Sequence, residues 1–586
     1  MNEGHPILPR MLRGLAAERG EATALRQKEL GIWQACSWKD LFRGVDEVAA
    51  GLLALGVRPG EVVGVVSGTC RDWVLADLGG QSAGVVVAGL HITDTTVAIV
   101  QHLRDLAVRV LFVEDDALFE TIAQAGELPL LKHVIVFRTE GLRRATDPRL
   151  QSLQQLRERG AQALSAEPSL VERALDSRGG QDAAIIVSST GTAAGTRVLG
   201  LSHEAVVSAC SAASLALAKA SAGQGERMLF LPLSHAVERI GALYTALLDG
   251  QIVNFVEGQD TVFDNLCEVQ PAVLQAVPRF WERLRSGMDI ALNEATAAEQ
   301  WIYRMALALG ERCEATGGSG ASSITRRAHK ALDRLVLGNL RRMMGLDRLC
   351  VGVVVGASVS TETIRWFRAM GVDLRVAWSS AELGGYVCLG DRDDPPEAAG
   401  RPLPGYEVRV AEQGELLVRA PLPNAAWHRT GDVGSIDASG RVHVTGRLRD
   451  LIVAADRQAV QPAQLERLIK ASPYISDAIV VGRARPHLAC LIVLNRDSVE
   501  QWAQKRQVPF SDLASLCDSE EVVGLICGEV RRTVAAQPHA VPAVKLIEIA
   551  ADGDPRLFTP ALTLKRESVL ERFAPAIEVM YRSAPV

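Results

Sequence analysis

Residues 427–466 read WHRTGDVGSIDASGRVHVTGRLRDLIVAADRQAVQPAQLE. A TGD tripeptide (430–432) leads into a hairpin turn at Ala438-Ser439-Gly440, and GRLRD (446–450) then precedes a further turn and a helical pattern. Small polar residues with Gly between alternating runs mark a hairpin. Just upstream, the Pro/Gly/acid-rich 391–404 opens a set of short hairpin-like strands at 407–410, 415–419 and 441–445. After Arg447 the pattern becomes a compact α+β segment, which places a domain boundary at 446–450 and divides the chain into 1–446 and 447–586. Further upstream, short β-branched runs at 61–67, 83–90, 109–113 and 133–137 alternate with helical stretches such as 39–55. The same alternation returns at 227–233, 252–256, 272–277, 350–355 and 374–377. Strands separated by amphipathic helices predict parallel sheets covered by helices, an α/β fold. The basic stretch 321–342 is expected to form a surface helix pair.

A second informative stretch is 185–203, IIVSSTGTAAGTRVLGLSH. It predicts a buried strand, a Ser/Thr/Gly loop, one cation and then a helix. Backbone N–H groups and hydroxyls in such a loop cradle phosphates, and the cation neutralises them. A turn of this composition is also a common structural connection.

With 430–432, 446–450 and 185–203 in family order, and with LPLSHAVERI (231–240), VPRFWERL (277–284), VGASVSTETIRWF (355–367), GRPLPGYEVRV (400–410) and TPALTLKRESVLERF (559–573), the chain resembles the adenylate-forming superfamily, specifically its long-chain acyl-CoA synthetases. The resemblance implies a large N-terminal domain of two α/β subdomains plus a distorted β-barrel, and a small mobile C-terminal lid. It implies activation of a carboxylic acid by ATP and Mg²⁺ through acyl-AMP, with transfer to CoA. By the same resemblance, Thr190, Gly191, Thr192, Trp378, Ser380, Glu382, Asp432 and Arg447 hold the nucleotide, and Glu382 carries the Mg²⁺. Gly356 and Ala357 face the acyl chain, His235 borders the acyl and CoA tunnel, Arg449 is the hinge, and Arg197 and Lys565 supply catalytic charge. Outside the resemblance, Asp432 could merely close its turn, and Arg447 could be a surface ion pair.

Several positions depart from the family pattern. The phosphate loop, [ST]SGTTGxPKG in the family, is STGTAAGTRV at 189–198: Ala193 loses a hydroxyl, Ala194 and Val198 replace glycines, and Arg197 replaces Lys. Added Cβ atoms restrict close backbone approach to phosphate. Thr563 stands where the family's catalytic Lys stands, with Lys565 two residues on. In an extended segment residues two apart face the same side, so a small register slip presents Lys565 instead. The glycine-rich loop lining the pantetheine tunnel is ADRQA (455–459), and about twenty residues of nucleotide lid are replaced by 420–428.

Sixty-three basic against 69 acidic residues give a net charge of −6 without long runs, so no nucleic-acid footprint exists. Ten scattered cysteines include no CxxC, which argues against structural zinc and for a cytoplasmic protein with free thiols. No uncharged stretch reaches the roughly 20 residues of a membrane span. Three readings remain open: a ligase for a medium or long acyl acid; a repurposed enzyme acting on a pre-activated acyl thioester with His235 as general base; and a non-catalytic acyl- or nucleotide-binding protein. The expected partner is a small acyl substrate, with a carrier protein as a further candidate.

Overall fold

Val86–Leu90 is buried along its whole length, as a strand covered on both faces must be. In the computed structural model of the protein it lies parallel to Val62–Val66 inside a seven-stranded sheet. The order is Leu150–Ser152, His133–Val136, Val110–Val113, Val62–Val66, Val86–Leu90, Ala183–Thr192, Gly195–Ser202, parallel except for the last pair. The structure describes residues 7–140, 147–192, 195–218, 225–315, 323–357, 359–453, 459–535, 537, 541–549, 557 and 564–582, without the side chains of 188–192, 195–197, 315, 323, 324 and 326. The helix Trp38–Ala54 covers one face, its first turn capped by Ser37, whose hydroxyl accepts from the Asp40 amide at 3.0 Å. It crosses Leu153–Ala166 so closely that a Cβ on Gly160 would sit 1.8 Å from the Glu47 carbonyl oxygen, so only glycine fits there.

A nine-stranded sheet forms the second subdomain. Its order is Arg401–Pro402, Gly385–Leu389, Leu374–Ser380, Val351–Val354, Val273–Ala276, Glu226–Leu229, Ile252–Phe255, Thr23–Glu29, Ile32–Ser37. The inner strands are parallel and the edge pairs antiparallel. Where the resemblance implies a barrel, the chain forms a four-stranded antiparallel sheet, Glu407–Val410, Glu415–Arg419, His428–Ile436 and Val442–Arg447. Beyond it, Ile475–Val481, Ala489–Leu494 and Ala543–Ile547 make a three-stranded sheet around a separate core containing Leu465, Ile492 and Ile526. Among the described residues no helix is long and apolar enough to cross a membrane.

Two expectations are corrected. Residues 185–203 are not a strand, loop and helix; Ala183–Thr192 folds back on Gly195–Ser202 in an antiparallel hairpin, and the helix begins only at His203. Leu199 and Leu201 seat on the same core as Ile185 and Val187, which holds the returning segment extended. The basic stretch is not a helix pair by itself. Ser323–Leu332, a π-helical Asp333–Leu337 and Gly338–Met343 follow one another without a break, and the pairing partner is Ala297–Ala315.

One buried network ties the two large sheets together. Arg239, fully buried, donates to both carboxylate oxygens of the equally buried Asp77 (2.5 and 3.1 Å) and from Nε to the Tyr244 hydroxyl (2.8 Å). Its Nη1 reaches the carbonyls of Val87 and Ile186, and its guanidinium lies 4.9 Å from the Trp73 ring centroid. Arg239 belongs to the π-helical Val237–Tyr244 that follows His235, so this network fixes that element against Ala183–Thr192, the first strand of the hairpin.

Candidate active site

The parallel strands of the nine-stranded sheet end on one edge, and candidate residues follow those ends: His235 after Glu226–Leu229, Gly356 and Ala357 after Val351–Val354, and Trp378 and Ser380 closing Leu374–Ser380. Ligands in open α/β sheets bind at this carboxyl edge. Gly356 turns the chain at φ +85° and is exposed together with Ala357, so the end of that strand is open to a ligand.

Asp432 and Arg447 face each other across the strands His428–Ile436 and Val442–Arg447. The Arg447 Nε lies 3.3 Å from Oδ1 of Asp432, and the indole N–H of Trp378 donates to Oδ2 at 2.8 Å. Thr430 accepts from the Asp432 amide at 3.1 Å, while Gly431 supplies the positive φ (+70°) of the TGD turn. Asp432 is only 9% exposed, and burial raises its pKa against the opposing pull of Arg447 and the Trp378 hydrogen bond. The Trp378 ring is itself buried, with its N–H committed to Asp432.

Glu382, exposed on the turn Ala381–Leu383, accepts from Ser380 Oγ at 2.7 Å. Its charge is felt by both Asp432 and His235. His235 is half-buried; burial lowers its pKa and Glu382 raises it, with burial prevailing. The imidazole is therefore neutral near pH 7 and free to accept a proton. Behind it, 6.2 Å between ring centroids, lies His91, whose Nδ1 is 2.5 Å from Ser234 Oγ. Burial pushes the His91 pKa down to about 3, with the charges of His235, His102 and Lys565 adding to the effect.

Lys565 approaches from the C-terminal domain. Its amide donates to the Leu557 carbonyl at 2.6 Å and it caps the helix Arg566–Arg572. The next residue fixes its place: Arg566 Nη1 donates to Glu466 Oε1 at 2.6 Å, and that oxygen also accepts from the Val480 amide at 2.7 Å. Lys565 is close enough to His91 and Asp94 to act on both, offsetting the rise that burial imposes on the Asp94 carboxyl. Thr563 lies outside the described residues, as do 454–458 of the family's glycine-loop position. The backbone of Thr190, Gly191, Thr192 and Arg197 forms the hairpin above, but their side chains lie outside the described residues. Arg449, half-exposed at the domain junction, offers its carbonyl to Arg483 Nη2 at 2.9 Å.

His91 and Asp94 were not singled out from sequence, although HITD follows directly on the buried strand Val86–Leu90, and a polar group at a parallel strand's carboxyl end is a legible signal. Glu238 was also missed. One turn beyond His235 and 2% exposed, it accepts from Gln275, which in turn accepts from the Tyr386 hydroxyl. Burial lifts its pKa from 4.5 to about 8, against the Gln275 hydrogen bond and the Arg227 charge. Between those values the folded chain keeps a proton that the unfolded chain has released, so stability declines as pH rises from 4.5 to 8. Glu238→Gln is expected to flatten that decline, gaining roughly 3 kcal/mol on the parent between pH 5 and pH 8 at about 1.4 kcal/mol per unit. Urea titrations at the two pH values measure it; an unchanged pH slope would show that Glu238 is ionised in the folded chain.

Residues 12–429 match the family model described as AMP-binding enzyme, and 449–585 match that of the AMP-binding enzyme C-terminal domain. The long-chain-fatty-acid–CoA ligase FadD15 of Mycobacterium tuberculosis is 27% identical over 574 residues, covering 94% of this chain and 93% of its own. The long-chain-fatty-acid–CoA ligase heimdall of Drosophila melanogaster is 27% identical over 494 residues, covering 79% and 72%. Among solved structures, the anthranilate CoA ligase AuaEII in complex with anthranoyl-AMP superposes with a TM-score of 0.70 at 17% identity, covering 98% of each chain. The A-PCP didomain of carboxylic acid reductase from Segniliparus rugosus, in complex with AMP, gives 0.69 at 15% identity over 99% of this chain and 82% of that one.

Proposed function

From a chain that belongs to the AMP-binding enzyme family, we propose an acid–thiol ligase that activates a medium- or long-chain fatty acid with ATP. The observation that carries this reading is the Asp432–Arg447 pair, bonded to Trp378 at the end of Leu374–Ser380 and influenced by the Glu382 charge, while Lys565 acts on His91 and Asp94 beyond the end of Val86–Leu90 in the neighbouring sheet. The acid's carboxylate oxygen attacks the α-phosphorus of ATP, the bond to the bridging oxygen breaks, and pyrophosphate leaves. A thiol, of CoA or of a carrier protein, then attacks the acyl carbonyl and releases AMP. Asp432 accepts from the ribose hydroxyls beside Arg447. In this reading Lys565 supplies the cation that offsets charge developing on the α-phosphate, a preorganised interaction stronger in the transition state than in the substrate.

The Mg²⁺ that the family implies would take Glu382 as its protein carboxylate. Among the described residues no group of three or more His, Cys, Asp or Glu could hold a metal alone. Glu382, exposed and oriented by Ser380, suits a Mg²⁺ that arrives on nucleotide phosphates and takes one protein carboxylate. Bound there, the ion would neutralise phosphate charge.

FadD15 and heimdall, both named long-chain-fatty-acid–CoA ligases, support the acyl class, and the reductase didomain supports a carrier thiol as acceptor. Pyrophosphate release from ATP, followed with a panel of fatty acids, tests the reading; an acid-independent background with every chain length would overturn it. A second reading, thioester turnover without ATP, draws on the neutral, half-buried His235. It requires that purified protein hydrolyse or transfer an acyl thioester in the absence of nucleotide, and that His235→Ala lower that rate by about 10²-fold or more. No turnover without ATP removes it.

A further inference from the structure

The helix Ala297–Ala315 packs against the rod that runs from Ser323 to Met343. The rod's inward residues Leu332, Val336, Leu337 and Leu340 rest on the core of the second sheet. Its outward positions Arg327, Lys330, Arg334, Leu335, Arg342 and Met343 are all exposed and recur at helical spacing. They form a stripe about 24 Å long at 1.5 Å per residue. The neighbouring helix adds exposed Trp301, Arg304 and Met305 on one face. Leu335 is 71% exposed, Met343 68% and Trp301 60%, so large apolar side chains alternate with cations on this face.

The charge is local. Residues 323–343 contain Arg326, Arg327, Lys330, Arg334, Arg341 and Arg342 against Asp333 alone, six minus one or +5, on a chain whose net charge is −6. Asp333 is paired with Arg341 at 2.5 Å and Arg342 with Asp347 at 3.4 Å, so the excess of outward charge rests on Arg327, Lys330 and Arg334. On the neighbouring helix the exposed acids are Glu299, which caps its first turn through Thr296, and Glu311.

Apolar side chains scattered singly on a surface need no explanation. Interleaved with cations along adjacent helices, they match a face that inserts apolar tips among anionic headgroups. A nucleic acid would use the cations and leave Leu335 and Met343 without a role. A partner helix seats its anchors in a groove, whereas these side chains project from exposed helix faces. We propose that this two-helix face docks the protein on an anionic lipid bilayer. The proposal stands apart from the catalytic reading, since it needs neither acid nor nucleotide.

Flotation of the full chain with vesicles of phosphatidylcholine, with and without about 30% phosphatidylglycerol, tests it. The protein is expected to float with the anionic vesicles, to stay behind with the neutral ones, and to release as salt is raised. The triple variant Arg327→Glu/Lys330→Glu/Arg334→Glu is expected to lose about 100-fold in partitioning, at roughly fivefold per basic residue. Leu335→Ser/Met343→Ser is expected to lose about tenfold at unchanged charge. All five positions are exposed, and an unchanged melting temperature verifies folding. Equal flotation with both vesicle types, none with either, binding indifferent to the triple substitution, or capture of nucleic acid or a second copy in place of vesicles would each overturn the proposal.

Discussion

Lys565→Ala is expected to lower acid-dependent ATP–pyrophosphate exchange by about 10²–10³-fold, the usual effect of losing one preorganised contact to developing charge. The family's own lysine position is Thr563, a neutral hydroxyl, and the neighbouring Arg566 is engaged by Glu466, which leaves Lys565 as the candidate cation of that segment. Arg566, anchored on Glu466 and Val480, sets the backbone, and the Lys565 charge acts on the Asp94 carboxyl. A merely structural lysine at this half-buried position would move the melting temperature and leave exchange intact. The reverse pattern, unchanged melting with exchange nearly abolished and ATP affinity little altered, is the one that adenylation through Lys565 requires. Lys565→Arg keeps the charge with different geometry and should fall between the two.

Asp77→Ala is expected to destabilise the N-terminal domain by about 3–5 kcal/mol, read from the shift of its urea transition. The cause is the charge left behind. Arg239 is fully buried, as is the carboxylate that would be removed. Carbonyls of Val87 and Ile186 and the Trp73 ring cannot neutralise it. Asp77→Ala combined with Arg239→Met removes both charges and should recover most of the loss, since a buried pair replaced by apolar groups is often close to neutral. If the single and double variants are equally destabilised, the loss comes from packing and not from the orphaned guanidinium. Because Arg239 also holds the element that follows His235, the single variant should lose catalytic rate as well as stability.

Much of the fold was legible because its strands are short apolar runs with covered faces; Val62–Val66, Val110–Val113, Ile252–Phe255 and Val351–Val354 all fall inside runs marked from sequence. The hairpin at 183–202 was not, because Ser, Thr and Gly read as a loop while the decisive contacts, Leu199 and Leu201 on the core beneath, are tertiary. The uninterrupted rod at 323–343 was missed because its apolar positions face a helix that precedes them in the chain. Asp432, Arg447 and Glu382 could be named because their motifs are linear. The commitment of the Trp378 N–H to Asp432, and the approach of Lys565 to Asp94 and His91, join residues between 54 and several hundred positions apart, and sequence spacing carries no such information. Glu238, Gln275 and Tyr386 form a chain of the same kind from three separate elements.

Calorimetry with a nonhydrolysable acyl-adenylate mimic, a long-chain acyl sulfamate of adenosine, asks whether this cleft is shaped for a mixed anhydride. The mimic is expected to bind at least about 10²-fold more tightly than ATP·Mg²⁺ or the free acid, as a ligand near the reaction's high-energy species does. Asp432→Ala is expected to weaken it by about tenfold or more through the lost ribose contacts. Binding of ATP·Mg²⁺ without binding of the mimic, or of neither, would contradict adenylation at the Asp432, Glu382 and Lys565 cleft.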